Sequence, residues 1–178
     1  MFSHELMDCL KLINTPIYGV YARDRIPRVI ETPAGIIVNT DPHTRPGSHW
    51  VAIYIDKNRR ADFFDSYGRP PPPDFATFMQ RNSVRSGYSN RVLQDVSSAM
   101  CGEYCILFLY YRSIGVSMDR FLDLFPTDPK INDEVTDRLF KEFFGKVRYT
   151  TRGPQACCSR QRMAHISDEY MHDSQYTF

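Results

Sequence analysis

Apolar residues fall along this chain in distinct rhythms. Leu6, Cys9, Leu10 and Ile13 recur at helical spacing and predict a short amphipathic helix near the start. YGVYARDRIP, from Tyr18, reads as an extended entry and turn. AGIIVNT, from Ala34 to Thr40, is a short apolar run ended by the turn-rich DPHTRPGS, and predicts a strand. HWVAIYID, from His49 to Asp56, is apolar at both parities, as expected of a central strand covered on each face. A polar KNRR turn follows. ADFFDSYG then predicts a second strand, forming a hairpin with the first and stopped by the prolines at 70 to 73, which cannot donate to a ladder.

Farther along, DFATFMQRNS predicts a helix with Asp74 near its start, and YSNRVLQD a strand that leads into the most hydrophobic segment. There, nine of the eleven residues from Cys101 to Tyr111 are apolar, aromatic or cysteine. With the Ser-Ser-Ala-Met lead-in, this predicts a buried helix from about Ser98 to Ser113. Two more helices are predicted, from Met118 to Phe125 and from about Asn132 to Phe144. After Lys146 the pattern collapses, so residues 148–178 are expected to form a disordered tail behind one domain spanning 1–147. Helices and strands in separate stretches predict an α+β domain, with a central mixed, largely antiparallel sheet packed against helices.

Composition narrows the class without naming a function. At 178 residues, 42% hydrophobic and 24% charged, the chain suits a single globular domain. Its formal charge of +1 supplies no global drive toward nucleic acid or an anionic membrane. No stretch approaches the roughly 20 apolar residues that span a bilayer, and the first residues lack the layout of a signal peptide. A reducing, intracellular setting is expected. The five cysteines, Cys9, Cys101, Cys105, Cys157 and Cys158, are odd in number and scattered, and no pair has zinc-ligand spacing. Neither a metal nor a cofactor is expected.

The candidate chemistry centres on Cys101. A thiol becomes a good nucleophile as a thiolate, which a helix N-terminus and a neighbouring imidazolium both favour. Cys101 sits at the start of the hydrophobic helix, and Gly102 beside it would let substrate backbone approach closely. The bland alternative is a buried core thiol, and for Cys105, deeper in the helix, that reading is preferred. Of five histidines, His49 alone stands at the mouth of a buried strand, placed to act as a general base. Trp50 next to it would be partly core and partly a wall of the site. Asp65 and Asp62 are candidates to orient His49; Asp65, at the strand end a hairpin would return to His49, is preferred. Gln94 is the candidate side-chain donor to an oxyanion, alongside the Cys101 backbone N–H.

These residues, in the order GIIVNT, GSHWVAIYID, ADFFDSYG and LQDVSSAMCGEYCILFLYY, resemble the adenain family, the adenovirus maturation proteases. They resemble more closely the adenain-like proteases of Polinton (Maverick) elements and adintoviruses. The resemblance covers roughly Tyr18 to Gly115, and less clearly the helices to Phe144. It implies a permuted papain-like α+β fold, the one shared with the ubiquitin-like-protein proteases. In that fold His49 would be the base, Asp65 its orienter, Gln94 the oxyanion donor and Cys101 the nucleophile, with Trp50 and Gly102 against the substrate. Adenain has glutamate where Asp65 stands, whereas the ubiquitin-like-protein proteases have aspartate.

The implied activity is a cysteine endopeptidase cutting capsid or other virion precursors, with cleavage after glycine where a tryptophan-walled tunnel excludes side chains. The implied partners are the polypeptide substrate and, as in adenain, an activating peptide or DNA. A monomer is expected, with no membrane partner, acting in the host nucleus or the virion. Two other readings are a deubiquitinase-like isopeptidase and a non-enzymatic binding module. A complete Cys-His-Asp-Gln set argues against the last.

Overall fold

The computed structural model describes residues 1–13 and 17–145; the expected tail, with Cys157, Cys158, His165 and His172, lies outside the described residues. Five strands form one sheet in sequential order: β1 (Ile17–Tyr21), β2 (Ala34–Asn39), β3 (Trp50–Ile55), β4 (Arg60–Phe64) and β5 (Arg85–Tyr88). The sheet is mixed, as expected. Its centre is antiparallel, with β2 against β3 and β3 against β4, while the flanking pairs β1–β2 and β4–β5 are parallel. The helices are α1 (Ser3–Leu10), α2 (Pro73–Asn82), α3 (Cys101–Ser113), α4 (Met118–Leu122) and α5 (Pro129–Phe144).

Every residue of β2 and β3 is buried, because the sheet is covered on both faces. Alternation along the strands divides the core in two. Ala34, Ile36, Val38, Val51, Ile53, Ile55, Ala61 and Phe63 pack with Phe75, Phe78 and Met79 of α2. Ile37, Ala52, Tyr54 and Phe64 pack with α1, α3, α4 and α5, including Leu6, Tyr104, Phe108, Phe121 and Phe144. Phe64 stacks on Phe108 at 4.8 Å between ring centroids and meets the edge of Phe121 at 5.5 Å. Each such buried ring contributes about 2 kcal/mol by removal from water, before the added gain of ring geometry.

Asp62 faces α3, where its carboxylate pairs with Arg112 at 2.9 Å. The same guanidinium lies over the Tyr54 ring at 5.0 Å. Burial pushes the Asp62 carboxyl above its ordinary range, with Arg112 opposing that shift. Asp62 is therefore a tie between β4 and α3.

Several element boundaries differ from expectation: β4 ends at Phe64, before the Ser-Tyr-Gly expected to finish that strand, α4 ends at Leu122 rather than Phe125, and α5 begins at Pro129 rather than about Asn132. The strand expected at YSNRVLQD is a loop from Ser89 on; β5 ends on its first residue, Tyr88, and pairs with Arg60 to Phe63 of β4. The backbone N–H groups of that loop are spent elsewhere: Ser89 donates to the Phe63 carbonyl, and Leu93 and Gln94 to the Ser66 carbonyl. Helix α3 starts at Cys101 itself, three residues later than expected. The Ser98 carbonyl accepts the Gln94 side-chain amide at 3.0 Å, and the first carbonyl to accept from the helix is that of Met100, from the Tyr104 N–H at 3.1 Å.

Candidate active site

The end of β4 and the start of β3 lie side by side because the two strands form the expected hairpin. His49 immediately precedes β3 and Asp65 immediately follows β4, so the antiparallel register returns them to one another. His49 Nε2 lies 2.7 Å from Asp65 Oδ1. Both groups are buried, at 8% and 3% exposure. A carboxylate can only accept, so Nε2 carries a proton, which in the neutral tautomer leaves Nδ1 as the acceptor. The Tyr67 backbone N–H donates to the same Asp65 oxygen at 2.9 Å. Ser89 Oγ accepts from the Asp65 N–H at 3.1 Å and donates to its carbonyl at 3.0 Å, fixing the residue from the backbone side.

The other described histidines have different settings. His43 pairs with Asp24 at 2.5 Å, and His4 stacks on Phe2. Tyr67 stacks on His49 with centroids 4.8 Å apart and 29° between planes, and the Arg69 guanidinium lies 5.0 Å from the Tyr67 centroid. Sequence reasoning missed Tyr67, Ser66 and Ser89 as supports. Their residue types are ordinary in turns, and only their placement after Asp65 and in the following loop hints at a role.

Gln94 is 1% exposed and held at both ends of its amide. Ser66 Oγ donates to its Oε1 at 2.7 Å, and its Nε2 donates to the Ser98 carbonyl at 3.0 Å. The loop carrying it is anchored from α5, where Asn132 Nδ2 donates to the Leu93 carbonyl at 3.0 Å. Beside that anchor, the Tyr104 hydroxyl donates to Asp133 at 2.9 Å. Burial raises the pKa values of both the tyrosine and the aspartate.

Cys101 is the first residue of α3 and 3% exposed. No side chain caps this end; the Met100 carbonyl accepts from Tyr104 N–H at 3.1 Å. A thiol here lies in the first turn, whose N–H groups have no partner within the helix and carry the positive end of its dipole. Cys101 and Trp50 belong to one apolar cluster, which also holds Cys9 and Cys105. The Trp50 indole donates to the Met1 carbonyl at 3.2 Å. A Cβ added at Gly102 would lie 3.0 Å from Met1 Cβ and 3.2 Å from Leu6 Cδ2. The missing side chain at 102 thus leaves room for Leu6 of α1 and for Met1 before it, and Met1 lies against both residues expected to face substrate.

Among the described residues no group of three or more His, Cys, Asp or Glu is placed to hold a metal, and no helix is long and apolar enough to cross a membrane. Two open clefts of about 510 and 460 Å³ are lined by none of the six site candidates. Asn82, buried in the wall of the first, is spent on the Ile30 N–H and on the Arg28 and Phe78 carbonyls, so it offers nothing to a ligand.

No family model matches the chain. It is 29% identical over 106 residues to a cysteine protease of African swine fever virus, covering 53% of this chain and 39% of the viral protein. It is 29% identical over 126 residues to a thiol protease of Acanthamoeba polyphaga mimivirus (65% of this chain, 41% of that one). A protease of snake adenovirus serotype 1 is 29% identical over 96 residues (46% and 48%). Its distant relatives are viral cysteine proteases. The chain spans between about two-fifths and half the length of these curated relatives. Among solved structures, the African swine fever virus protease superposes with a TM-score of 0.46 at 28% identity over 58% of this chain and 41% of that one. ChlaDub1 of Chlamydia trachomatis gives 0.48 at 16% identity over 84% and 80%.

Proposed function

We propose that this chain is a cysteine endopeptidase with a permuted papain-like fold, in which Cys101 is the nucleophile, His49 the base, Asp65 its orienter and Gln94 an oxyanion donor. The observation that carries the reading is the buried 2.7 Å contact between His49 Nε2 and Asp65 Oδ1. It orients the ring with Nδ1 as acceptor, the state a general base needs, and the carboxylate balances the imidazolium that forms.

In the proposed reaction Cys101 gives its proton to His49 and the thiolate attacks the scissile carbonyl, forming a C–S bond. The carbonyl oxygen takes the negative charge and is held by the Gln94 amide and the first-turn N–H groups of α3. Collapse breaks the C–N bond as His49 returns its proton to the departing amine. Water, deprotonated by His49, then hydrolyses the thioester and restores the thiol. The chain's own side chains supply every proton transfer in this scheme.

The substrate class proposed is a virion or capsid precursor of a virus or a Polinton-type element, in line with the viral relatives. Cleavage after glycine is proposed on Trp50, and both Trp50 and Gly102 reach a substrate only once Met1 leaves them. An activating peptide or DNA would have its effect at that step. Removal of ubiquitin-like modifiers is a second reading. It is favoured because relatives from African swine fever virus, 28% identical over 109 to 116 residues, bear the name SUMO-1 cysteine protease.

The test is a fluorogenic peptide library varied at the residue before the scissile bond, run beside a modifier conjugate. Wild type should cleave peptides with glycine at that position, and Cys101→Ala should cleave none. Equal turnover by Cys101→Ala overturns the assignment, and acceptance of bulky residues as readily as glycine overturns the specificity.

A further inference from the structure

The amide of Gln94 can point only one way. The Ser98 carbonyl has no hydrogen to give, so the Gln94 atom 3.0 Å from it must be Nε2. That leaves Oε1 facing Ser66 Oγ at 2.7 Å, with the hydroxyl as donor. Reversing the amide would set two acceptors against each other at Ser98. One of the two Nε2 hydrogens is spent on Ser98, so a single N–H remains for a ligand.

Ser66 is fully buried and immediately follows Asp65. Its carbonyl accepts from the N–H groups of Leu93 at 2.8 Å and Gln94 at 3.1 Å, which places the loop independently of the hydroxyl. The hydroxyl fixes only the rotation of the Gln94 amide. One residue thus joins the strand end that presents the carboxylate partner of His49 to the side chain assigned to the oxyanion.

We propose that Ser66 is a positioning residue, whose hydroxyl aims the remaining Gln94 N–H at the oxyanion by holding Oε1. The inference rests on the reading of Gln94 as oxyanion donor. Without the hydroxyl, the amide loses the restraint on one end and swings about the Ser98 contact. Its N–H then points at the developing charge for only part of the time. Ground-state binding does not use that N–H, so turnover falls while affinity holds.

The test compares wild type, Ser66→Ala, Ser66→Thr, Gln94→Ala and the Ser66→Ala/Gln94→Ala double variant on a peptidyl Gly-Gly aminocoumarin. Three readouts are followed: kcat and KM, alkylation of Cys101 by iodoacetamide, and the Gln94 side-chain amide signals in a ¹⁵N spectrum. Alkylation needs the thiolate but forms no oxyanion. The expected result for Ser66→Ala is a kcat lower by about tenfold, less than the loss from deleting a donor outright, with KM and alkylation within twofold of wild type. Adding Ser66→Ala to Gln94→Ala should cost nothing more, Ser66→Thr should restore kcat, and the amide signals should shift in Ser66→Ala.

The proposal is overturned by wild-type kcat in Ser66→Ala, by losses that add fully in the double variant, or by unmoved amide signals. If Ser66→Ala does not fold, Ser66→Cys, near in size and a weak donor, takes its place with the same criteria. Absence of wild-type cleavage, together with Cys101 alkylation no faster than that of Cys105, instead overturns the protease reading and removes the role of the hydroxyl with it. The amide signals still report the hydrogen bond in that case.

Discussion

Asp65 receives two hydrogen bonds on one oxygen, from the His49 ring at 2.7 Å and from the Tyr67 backbone at 2.9 Å. The carboxylate is therefore held in place before it holds the histidine. Asp65→Asn keeps an acceptor oxygen of the same size but removes the charge that balances an imidazolium. Its kcat is expected to fall by about 10³-fold or more, with KM little changed, in steady-state peptide cleavage. A loss confined to KM would contradict the role.

The Tyr67 ring restrains His49 from one face by stacking at 4.8 Å. Tyr67→Phe keeps the stacked ring and should lose less turnover than Tyr67→Ala. Tyr67→Ala frees the imidazole to rotate and should lower kcat by about tenfold. Side-by-side kinetics of the two variants check this.

Gly68 has φ +66, and an added Cβ would stand 2.8 Å from the Arg91 carbonyl carbon and 2.9 Å from its oxygen. Backbone cannot yield as a side-chain tip can, so Gly68→Ala must strain this turn or push away the loop leading to Gln94. A loss of about 2 kcal/mol is expected in urea denaturation, accompanied by reduced turnover.

Burial raises the Asp133 carboxyl above its ordinary range. The folded state then holds that proton more tightly than the unfolded chain, so stability falls as pH rises from the ordinary carboxylate range through the raised value, and levels off above it. Asp133→Asn keeps an acceptor for Tyr104 but has no proton to lose. Its urea midpoint should depend less on pH than that of wild type between about pH 4 and 8. A residual slope of the same sign is expected from Asp62, whose pKa is also raised. Parallel curves for wild type and Asp133→Asn would contradict the account.

Long apolar segments were legible because burial on both faces writes itself as an unbroken run, as in β2, β3 and α3. The hairpin also let Asp65 be preferred over Asp62, and the structure gives Asp62 to Arg112. What could not be read was polar and local. Ahead of α3 the Ser98 carbonyl accepts from the Gln94 side chain, and Asp95 Oδ1 accepts from the Ser97 N–H at 2.8 Å, so the lead-in is held in a turn of its own. A serine-rich lead-in looks like a cap when such competing acceptors and donors are invisible. Strand β5, Arg-Ser-Gly-Tyr, has an exposed pattern and forms because β4 offers a parallel edge. Ser66 and Ser89 look like surface turn residues until the fold buries them.

The central claim is that His49 activates Cys101. It is tested most directly by the rate of iodoacetamide alkylation of Cys101 at neutral pH, followed by peptide mapping in wild type and in His49→Ala. The account predicts that wild-type Cys101 reacts much faster than Cys105, and that His49→Ala slows it by about tenfold or more. Equal Cys101 rates in the two proteins would contradict it.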